Sequence, residues 1–292
     1  MSDVIRRPTA RAVFAEQFRM IGLSLRGEAA LAALVMLTLS LGLIGELLGD
    51  PMRVDLRADN HVVFGLLGAL LPFLVWKGRD RLGESAFFTL PAEHRRHVLL
   101  RVAAGWAWCM IALVGLLVWL SIAVVLSGGT FGIETTRYVL EGAQPGMQMP
   151  ASMLREVRWT TPGWQWLLPF TAATLTYALA SALNLATKHP LRLVVGVVAG
   201  LLLLGVVAGE FAFAWLRMAL HYALVHPWGL DTVVTGGSGS LKTLVTVPEH
   251  GTPDTTVWRA LPTLGAYVGA TVLWSVVSAL ALWAVTLRFR ER

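Results

Sequence analysis

The stretch 102–133, VAAGWAWCMIALVGLLVWLSIAVVLSGGTFGI, contains no Asp, Glu, Lys or Arg. An α-helix of about 20 residues crosses the roughly 30 Å hydrocarbon core of a bilayer, so this stretch is long enough to span a membrane. The same four residue types are missing from five other long runs: 29–45, 60–76, 159–187, 193–209 and 260–287. The chain is therefore predicted to be an all-α polytopic membrane protein with six transmembrane helices.

The composition agrees with a single membrane domain. Apolar residues make up 55% of the 292 residues, charged residues only 14%, and the mean hydropathy is +0.63. One transmembrane domain is predicted to cover residues 1–292, because no segment has the composition of a soluble domain. The single cysteine, Cys109, lies in the third run, so an intramolecular disulfide framework is excluded. The first residues lack the apolar core of a signal peptide, and the first span is expected to direct insertion.

Basic residues are concentrated on one predicted side of the membrane. They are Arg6, Arg7, Arg11, Arg19, Arg26, Lys77, Arg79, Arg81, Arg95, Arg96, Arg101, Lys188, Arg192, Arg288, Arg290 and Arg292. Lys and Arg flanking the spans are retained in the cytoplasm, so both termini are predicted to be cytoplasmic. Segments 128–160 and 217–260 then become extracytoplasmic loops. The predicted location is the plasma (inner) membrane, of bacterial type, with lipid as an expected contact.

The net charge of +6 does not indicate nucleic-acid binding, because the arginines lie in short loops beside the spans. Membrane topology and anionic lipid account for basic residues in that position. No nucleic-acid partner is therefore predicted.

Residues 1–28 are predicted to form a cytoplasmic or interfacial helix before the first span. An apolar stripe at i, i+4, i+7 and i+11 consists of Phe14, Phe18, Ile21 and Leu25, and another side carries Arg11, Arg19 and Arg26. This pattern is typical of an amphipathic helix lying in the headgroup plane. The alternative is a cytoplasmic extension of the first span.

Two further patterns concern packing and the last external loop. Glycines four residues apart share a helix face and allow close approach of another helix. Such pairs are Gly196/Gly200, Gly205/Gly209 and Gly265/Gly269. The segment 231–247, DTVVTGGSGSLKTLVTV, has two β-branched runs around a Gly/Ser turn and predicts a hairpin.

Three polar residues follow the fifth run at helical spacing. Glu210, Arg217 and His221 lie at i, i+7 and i+11, on one side of a helix that would continue from that span. The stripe is a candidate lining for an exit pathway. The alternative is a hydrated helix end with ordinary interfacial charges.

The second cytoplasmic segment, 77–101, carries the most chemically informative residues. Pro91 suits an early position in a helix because it lacks the amide proton that such a position leaves unpaired. Glu93 suits the positive helix N-terminus. Phe87 and Phe88 lie just before this helix, where apolar rings need cover from water. Either a partner protein or the neighbouring spans and membrane supply that cover.

These features resemble the permeases of type-2 ATP-binding-cassette (ABC) exporters. The resemblance consists of the N-terminal helix, six spans with both ends inside, the long loop between the last spans and the motif LPAEHRRHVLLR at 90–101. It implies that the loop 77–101 carries a coupling helix that docks on a separate ATPase subunit. Residues matching this ATPase-coupling segment are Glu84, Phe87, Phe88, Leu90, Pro91, Glu93, Arg95 and Arg96.

The chain lacks the phosphate-binding motif of such an ATPase. No Gly-Lys dipeptide is present anywhere, so a Walker A loop is absent. The resemblance therefore implies that ATP and Mg²⁺ are bound by the partner ATPase, with no cofactor on this chain. It also implies a second permease subunit, in a homodimer or a heterodimer. Substrate would cross by a conformational cycle without covalent chemistry.

A membrane-embedded enzyme, for example a metal hydrolase, is the alternative function. His94 and His97 follow Glu93, but their order is not the His-Glu-x-x-His of zinc proteases. His221, His226 and Asp231 are weak candidates for another metal site, and Met147, Met149 and Met153 are soft ligands suited to Cu(I). Ordinary histidines of a basic loop explain His94 and His97 more simply, and loop packing explains the methionines more simply. A non-transport scaffold is a third alternative, and the substrate of a transporter is not readable from the sequence.

Overall fold

The structure is a computed structural model and is mostly helical. It describes residues 9–49, 55–56, 62–76, 94–132, 134–139, 155–187, 189–196, 199–200, 203, 229, 232–233, 240–245, 255–258 and 261–287. The helices in chain order are α1 (Ala10–Ser24), α2 (Arg26–Gly49), α3 (Val62–Val75), α4 (His94–Leu126), α5 (Leu168–Ala186) and α6 (Leu264–Leu287). The strands are β1 (Glu134–Val139), β2 (Arg155–Thr160), β3 (Ser240–Val245) and β4 (Thr255–Trp258). A 3-10 turn, Gly163–Leu167, leads directly into α5.

Helical backbone is present in each of the six apolar runs. At the fifth run the helix begins at residue 190, just before the run, and continues to residue 196. Within the described ranges, three helical segments are long and apolar enough to cross a membrane: Arg95–Leu126, Gly163–Ala186 and Leu264–Leu287. A fourth arises if α1 and the start of α2, bent by 56°, form one broken span. Helix α3 has 14 residues, which is about 21 Å at 1.5 Å per residue and too short to cross alone. These helices are compatible with a membrane protein.

The main packing contact inside the bundle joins α3 to α5. A Cβ added to Gly68 of α3 would lie 2.8 Å from the Cα of Ala173 in α5, so only glycine fits at this crossing. Phe64 and Ala173 belong to one buried cluster with side chains from α4 and α5. Close approach through a small residue strengthens van der Waals packing, which is the main attraction between helices in lipid.

Helix α4 crosses α5 at a second glycine. A Cβ on Gly105 would overlap the hydroxyl of Tyr177, which is 1% exposed and donates a hydrogen bond of 3.1 Å to the Val102 carbonyl. Helix α6 lies on another side of α5, where the hydroxyls of Thr171 and Tyr267 are 2.9 Å apart. Helix α5 therefore occupies the centre of the described bundle.

Three glycines of the predicted pairs are not close contacts between the described helices. A Cβ added to Gly196, Gly200 or Gly265 would meet no neighbouring atom within 4 Å. Gly205 and Gly209 lie outside the described residues. No described helix of this chain packs closely on these three glycines, because spacing identifies a shared face but not whether another helix meets that face.

A small sheet corrects the all-α assignment. Strands β1 to β4 form one four-stranded sheet in the order β2-β1-β4-β3, with β1 and β4 parallel and the other neighbours antiparallel. The sheet joins the segment after α4 to the segment before α6. The predicted hairpin in 231–247 was half right: β3 is a strand, but it pairs with β4, and Thr232 and Val233 have helical backbone.

The C-terminal end of α4 is fixed by glycine and by an acidic side chain from another loop. Gly128 has φ +65°, and Gly129 N donates to the Val124 carbonyl at 2.9 Å, a pattern that ends an α-helix. Asp55 Oδ1 then accepts from the amide nitrogen and hydroxyl of Thr130 at 2.9 and 3.0 Å. The segment after α2 is thereby attached to the segment after α4.

Candidate functional site: the junction of α1, α3 and α4

The predicted ATPase-coupling loop falls between two described helices. Residues 77–93 lie outside the described residues, and with them Glu84, Phe87, Phe88, Leu90, Pro91 and Glu93. Arg95 is half-buried and Arg96 is exposed at the start of α4. The exit-pathway candidates Glu210, Arg217 and His221 also lie outside the described residues. The structure therefore describes the ends of the predicted coupling loop but not its centre.

Arg101 of α4 holds these two ends together. Its Nη2 donates a hydrogen bond of 2.7 Å to the carbonyl of Val75, at the C-terminal end of α3. Its guanidinium carbon lies 4.9 Å from the centre of the Trp76 ring. Carbonyls at a helix C-terminus lack partners within the helix and carry partial negative charge, so a cation is favourable there. Planar guanidinium also stacks well on an aromatic face.

Helix α1 packs along the first part of α4. The indole Nε1 of Trp108 donates to the Phe18 carbonyl at 2.9 Å, and the two rings stack with centroids 4.7 Å apart. A Cβ on Gly22 would be 3.1 Å from Cε2 of Trp108, so this glycine lets the indole approach the α1 backbone. One residue, Trp108, thus contributes both a hydrogen bond and a ring contact to this helix pair.

An apolar cluster joins all three helices. Ile21 of α1, Leu25 directly after α1, Val75 of α3 and Ala104 of α4 are buried together. We call this contact region, with the Arg101 and Trp108 contacts, the α1–α3–α4 junction. Because the four side chains are at most 9% exposed, the helices are expected to move as one body at this point.

The amphipathic character predicted for α1 is confirmed, with a correction to what its apolar side contacts. The residues Arg11, Arg19 and Arg26 are all exposed. The stripe that includes Ile21 and Leu25 faces α3 and α4 rather than lipid. A bend of 56° separates α1 from the start of α2. Lipid and a membrane-protein core are both apolar, so the stripe alone could not distinguish them.

The junction is linked directly to the centre of the bundle. Gly68 of α3 meets α5 at Ala173. Val75, which accepts the Arg101 hydrogen bond, lies seven residues after Gly68 in the same helix. Gly105 of α4 meets the Tyr177 hydroxyl on the same helix, α5. A displacement of the junction would therefore be transmitted to α5 through two close contacts.

Sequence reasoning missed the residues that build this junction. Arg101 was counted only among the basic residues that set topology, and Trp76 and Trp108 were not singled out. The available signal was that Arg101 lies inside a helix and not in the loop before it. The partner of such an arginine is far away in sequence, so the pattern did not identify it.

The alternative metal site gains no support from this part of the chain. Among the described residues, no group of three or more His, Cys, Asp or Glu side chains lies close enough to hold a metal ion. His97 is half-buried in α4, whereas Met147, Met149, Met153, His221, His226 and Asp231 lie outside the described residues.

No protein-family model, curated protein or solved structure matches this chain. The resemblance to type-2 ABC permeases therefore rests on the residues and spacings quoted above. The geometry of the α1–α3–α4 junction is an independent basis for a functional proposal.

Proposed function

We propose that the chain is the permease subunit of an ABC exporter, driven by a separate ATPase that docks on the loop between α3 and α4. The observation that carries this proposal is the α1–α3–α4 junction. It fixes both ends of the loop, through Arg101, to helices that contact the centre of the bundle. A loop anchored in this way can transmit a push, whereas a loop with free ends would absorb it.

In this proposal, ATP and Mg²⁺ bind to the partner ATPase, and the cycle of that partner displaces the docking segment 84–88. The junction carries the displacement to α5 through the contacts at Gly68 and Gly105. The bundle then shifts between inward-facing and outward-facing states, because nucleotide binding favours one of them. The substrate crosses without being chemically changed.

The proposal includes six spans, cytoplasmic termini, an inner membrane of bacterial type and a second permease subunit, either identical or related. The supporting observation for topology is the concentration of Lys and Arg beside the ends of the apolar runs. Glu210, Arg217 and His221 remain proposed exit-pathway residues in the segment that follows the fifth run.

Topology can be tested by labelling single cysteines with a membrane-impermeant reagent in whole cells. In a chain with Cys109 replaced, cysteine at Arg79 should be protected and cysteine at Gly237 should react. The reverse labelling pattern would refute the orientation.

Dependence on a partner can be tested with the tagged full chain. The purified chain alone should not hydrolyse ATP, because it lacks a Walker A loop. The chain extracted gently from its own cells should bring down a subunit that has such a loop and hydrolyses ATP. Turnover by a preparation of this chain free of other ATPases would contradict the proposal.

The docking residues can be tested in the same assay. Truncating aromatic anchors at an interface typically costs about 2 kcal/mol or more, which weakens binding roughly 30-fold. Phe87→Ala with Phe88→Ala should therefore reduce copurification of the ATPase. The control is Phe131→Ala, a half-exposed aromatic ring beyond the other end of α4. Normal association of the double variant, with loss of association after substitution of Lys188, would assign docking to the next cytoplasmic loop.

A further inference from the structure

The outward side of α1 is left open by the packing of the described helices. Gln17 and Ile21 are buried, and Ile21 meets side chains of α3 and α4. Arg11 and Arg19 are exposed, as is Arg26 at the start of α2. At 3.6 residues per turn, the directions of Arg11 and Arg19 differ by only about 80° around the helix axis. We call the exposed surface formed by these three arginines the basic face.

The basic face is accessible and has net positive charge. Ala15 lies between Arg11 and Arg19 along the helix and is exposed, so its small side chain leaves room for another molecule. Glu16 is the only acidic residue in α1, against two arginines in the helix and a third at position 26. An excess of positive charge on an open surface attracts an anionic partner.

The basic face lies beside the segment that would enter the bilayer. Leu25 alone separates α1 from α2, and the apolar run 29–45 begins three residues after Arg26. The bend of 56° turns α1 away from the axis of α2. In the proposed topology these arginines lie at the depth of the cytoplasmic headgroups, within reach of lipid phosphates. Leu23, which is 43% exposed, suits the apolar region just below those headgroups.

The packing of α1 determines which kind of lipid this face can select. Interfacial helices usually hold a membrane through an apolar stripe as well as through basic residues. In this chain Ile21 and Leu25, which belong to that stripe, pack on α3 and α4 and are not available for insertion between lipid chains. The outward side of α1 therefore attracts lipid mainly through charge. Such a surface distinguishes anionic headgroups from zwitterionic ones, because only the anionic headgroups carry net charge.

We propose that the basic face of α1 binds anionic phospholipid headgroups of the cytoplasmic leaflet. The inference rests on the proposed membrane topology and is independent of the ATPase. Each arginine near an anionic membrane surface contributes up to about fivefold in affinity. The attraction falls with salt, because the Debye length shrinks from about 10 Å at about 0.1 M to about 3 Å at about 1 M. Anionic lipid thus holds the outer side of α1, and the α1–α3–α4 junction holds its inner side.

The test places photoreactive benzoylphenylalanine at Ala15 of the full chain, in nanodiscs made from equal parts of phosphatidylglycerol and phosphatidylcholine. After irradiation, mass spectrometry of the intact chain gives the ratio of phosphatidylglycerol adducts to phosphatidylcholine adducts. We expect a ratio of about five or more, which falls towards one when salt is raised to about 1 M. The control position is Val125, an exposed residue at the other end of α4, where the two lipids should react equally.

Substitutions of single arginines assign the selectivity to the basic face. Arg19→Gln should lower the adduct ratio about two- to fivefold, whereas Arg19→Lys should retain most of it because the attraction depends on charge. Arg155→Gln is the matched control, because Arg155 is also exposed but lies on β2. Arg19→Gln should unfold like the parent chain in lipid-free micelles, which separates lost binding from misfolding.

Equal adducts of the two lipids at position 15 would refute the proposal. A ratio abolished by soluble glycerol phosphate would also refute it, because the face would then bind free phosphate. Irradiation in whole cells that yields adducts with another protein in place of lipid would show a docking surface for a subunit and overturn the lipid assignment. A chain that does not enter nanodiscs would contradict the proposed membrane location, and this inference with it. Equal lipid adducts on a chain with the predicted cysteine labelling would refute this inference alone.

Discussion

Replacing Arg101 with methionine tests whether the α1–α3–α4 junction holds the two ends of the proposed coupling loop. Methionine keeps an unbranched apolar stem of similar reach but has no hydrogen-bond donor. The substitution therefore removes the 2.7 Å hydrogen bond to the Val75 carbonyl and the cation–π contact with Trp76. The apolar packing of the stem is retained.

The expected loss of stability follows from those two contacts. A hydrogen bond from a charged donor contributes about 1.5–3 kcal/mol, and a partly exposed cation–π contact contributes about 0.5–1 kcal/mol. The two contacts share one guanidinium, and interhelical hydrogen bonds in membranes fall at the low end of such ranges. We expect Arg101→Met to lower the free energy of unfolding by about 2 kcal/mol. Arg101→Lys keeps the charge but loses the planar contact, and should cost about half as much.

The measurement is unfolding of the purified chain in mixed micelles, followed by tryptophan fluorescence as the denaturing detergent is increased. A second measurement is the rate at which trypsin cuts the loop 77–93, which should rise when its ends are released. Arg19→Met is the control, because Arg19 is an exposed arginine on α1. An exposed substitution of this kind should change stability by no more than about 0.5 kcal/mol.

Equal stability and equal cleavage of Arg101→Met and Arg19→Met would refute the reasoning. The Arg101 contacts would then be incidental, and the loop would be held by other residues. The coupling proposal would lose the observation that carries it.

Three further predictions concern contacts between helices and strands. Gly105→Ala should lower the free energy of unfolding by about 1–3 kcal/mol, because the added methyl overlaps the tyrosine hydroxyl of α5. The control in the same helix and the same denaturation assay is Gly115→Ala, whose methyl meets no neighbour within 4 Å and should stabilise the chain by up to about 1 kcal/mol. Trp108→Phe should lower the free energy of unfolding by about 1 kcal/mol, because it removes the hydrogen bond to the Phe18 carbonyl. Proteases should then cut α1 faster, and an unchanged rate of cleavage would contradict this. Arg158→Gln in β2 should change the free energy of unfolding by less than about 1 kcal/mol, because the ion pair of Arg158 with Glu134 is exposed, and high salt should abolish the difference. A larger effect that does not depend on salt would contradict this.

Hydrophobic patterning located the helices well. The runs 29–45 and 260–287 correspond to α2 and α6, and helical backbone is found in the other runs also. The amphipathic pattern of α1 was equally visible, because its arginines and apolar residues repeat with the helical period. Both predictions depend on local information: transfer of apolar side chains from water and the spacing of residues around one helix.

The four strands were only partly predictable. The β-branched run in 240–245 indicated a strand, but its neighbour β4 follows it in the chain instead of preceding it across the predicted turn. The parallel pair β1 and β4 joins segments from two different loops. Strand partners so distant in the chain leave no periodic signal, so the all-α assignment omitted this sheet.

The sequence by itself determined that this is a mostly helical chain with stretches apolar enough to span a membrane, a basic, amphipathic N-terminal helix and no Walker A loop. Tertiary structure alone decided which glycines meet a neighbour, so that Gly68 and Gly105 are close contacts and Gly196 and Gly200 are not. It also decided that Arg101 meets Val75, 26 residues away. The physical reason is that membrane helices are apolar on the sides that face lipid and on the sides that face each other. Hydropathy cannot distinguish these surfaces, and only the packed arrangement shows which side chains meet.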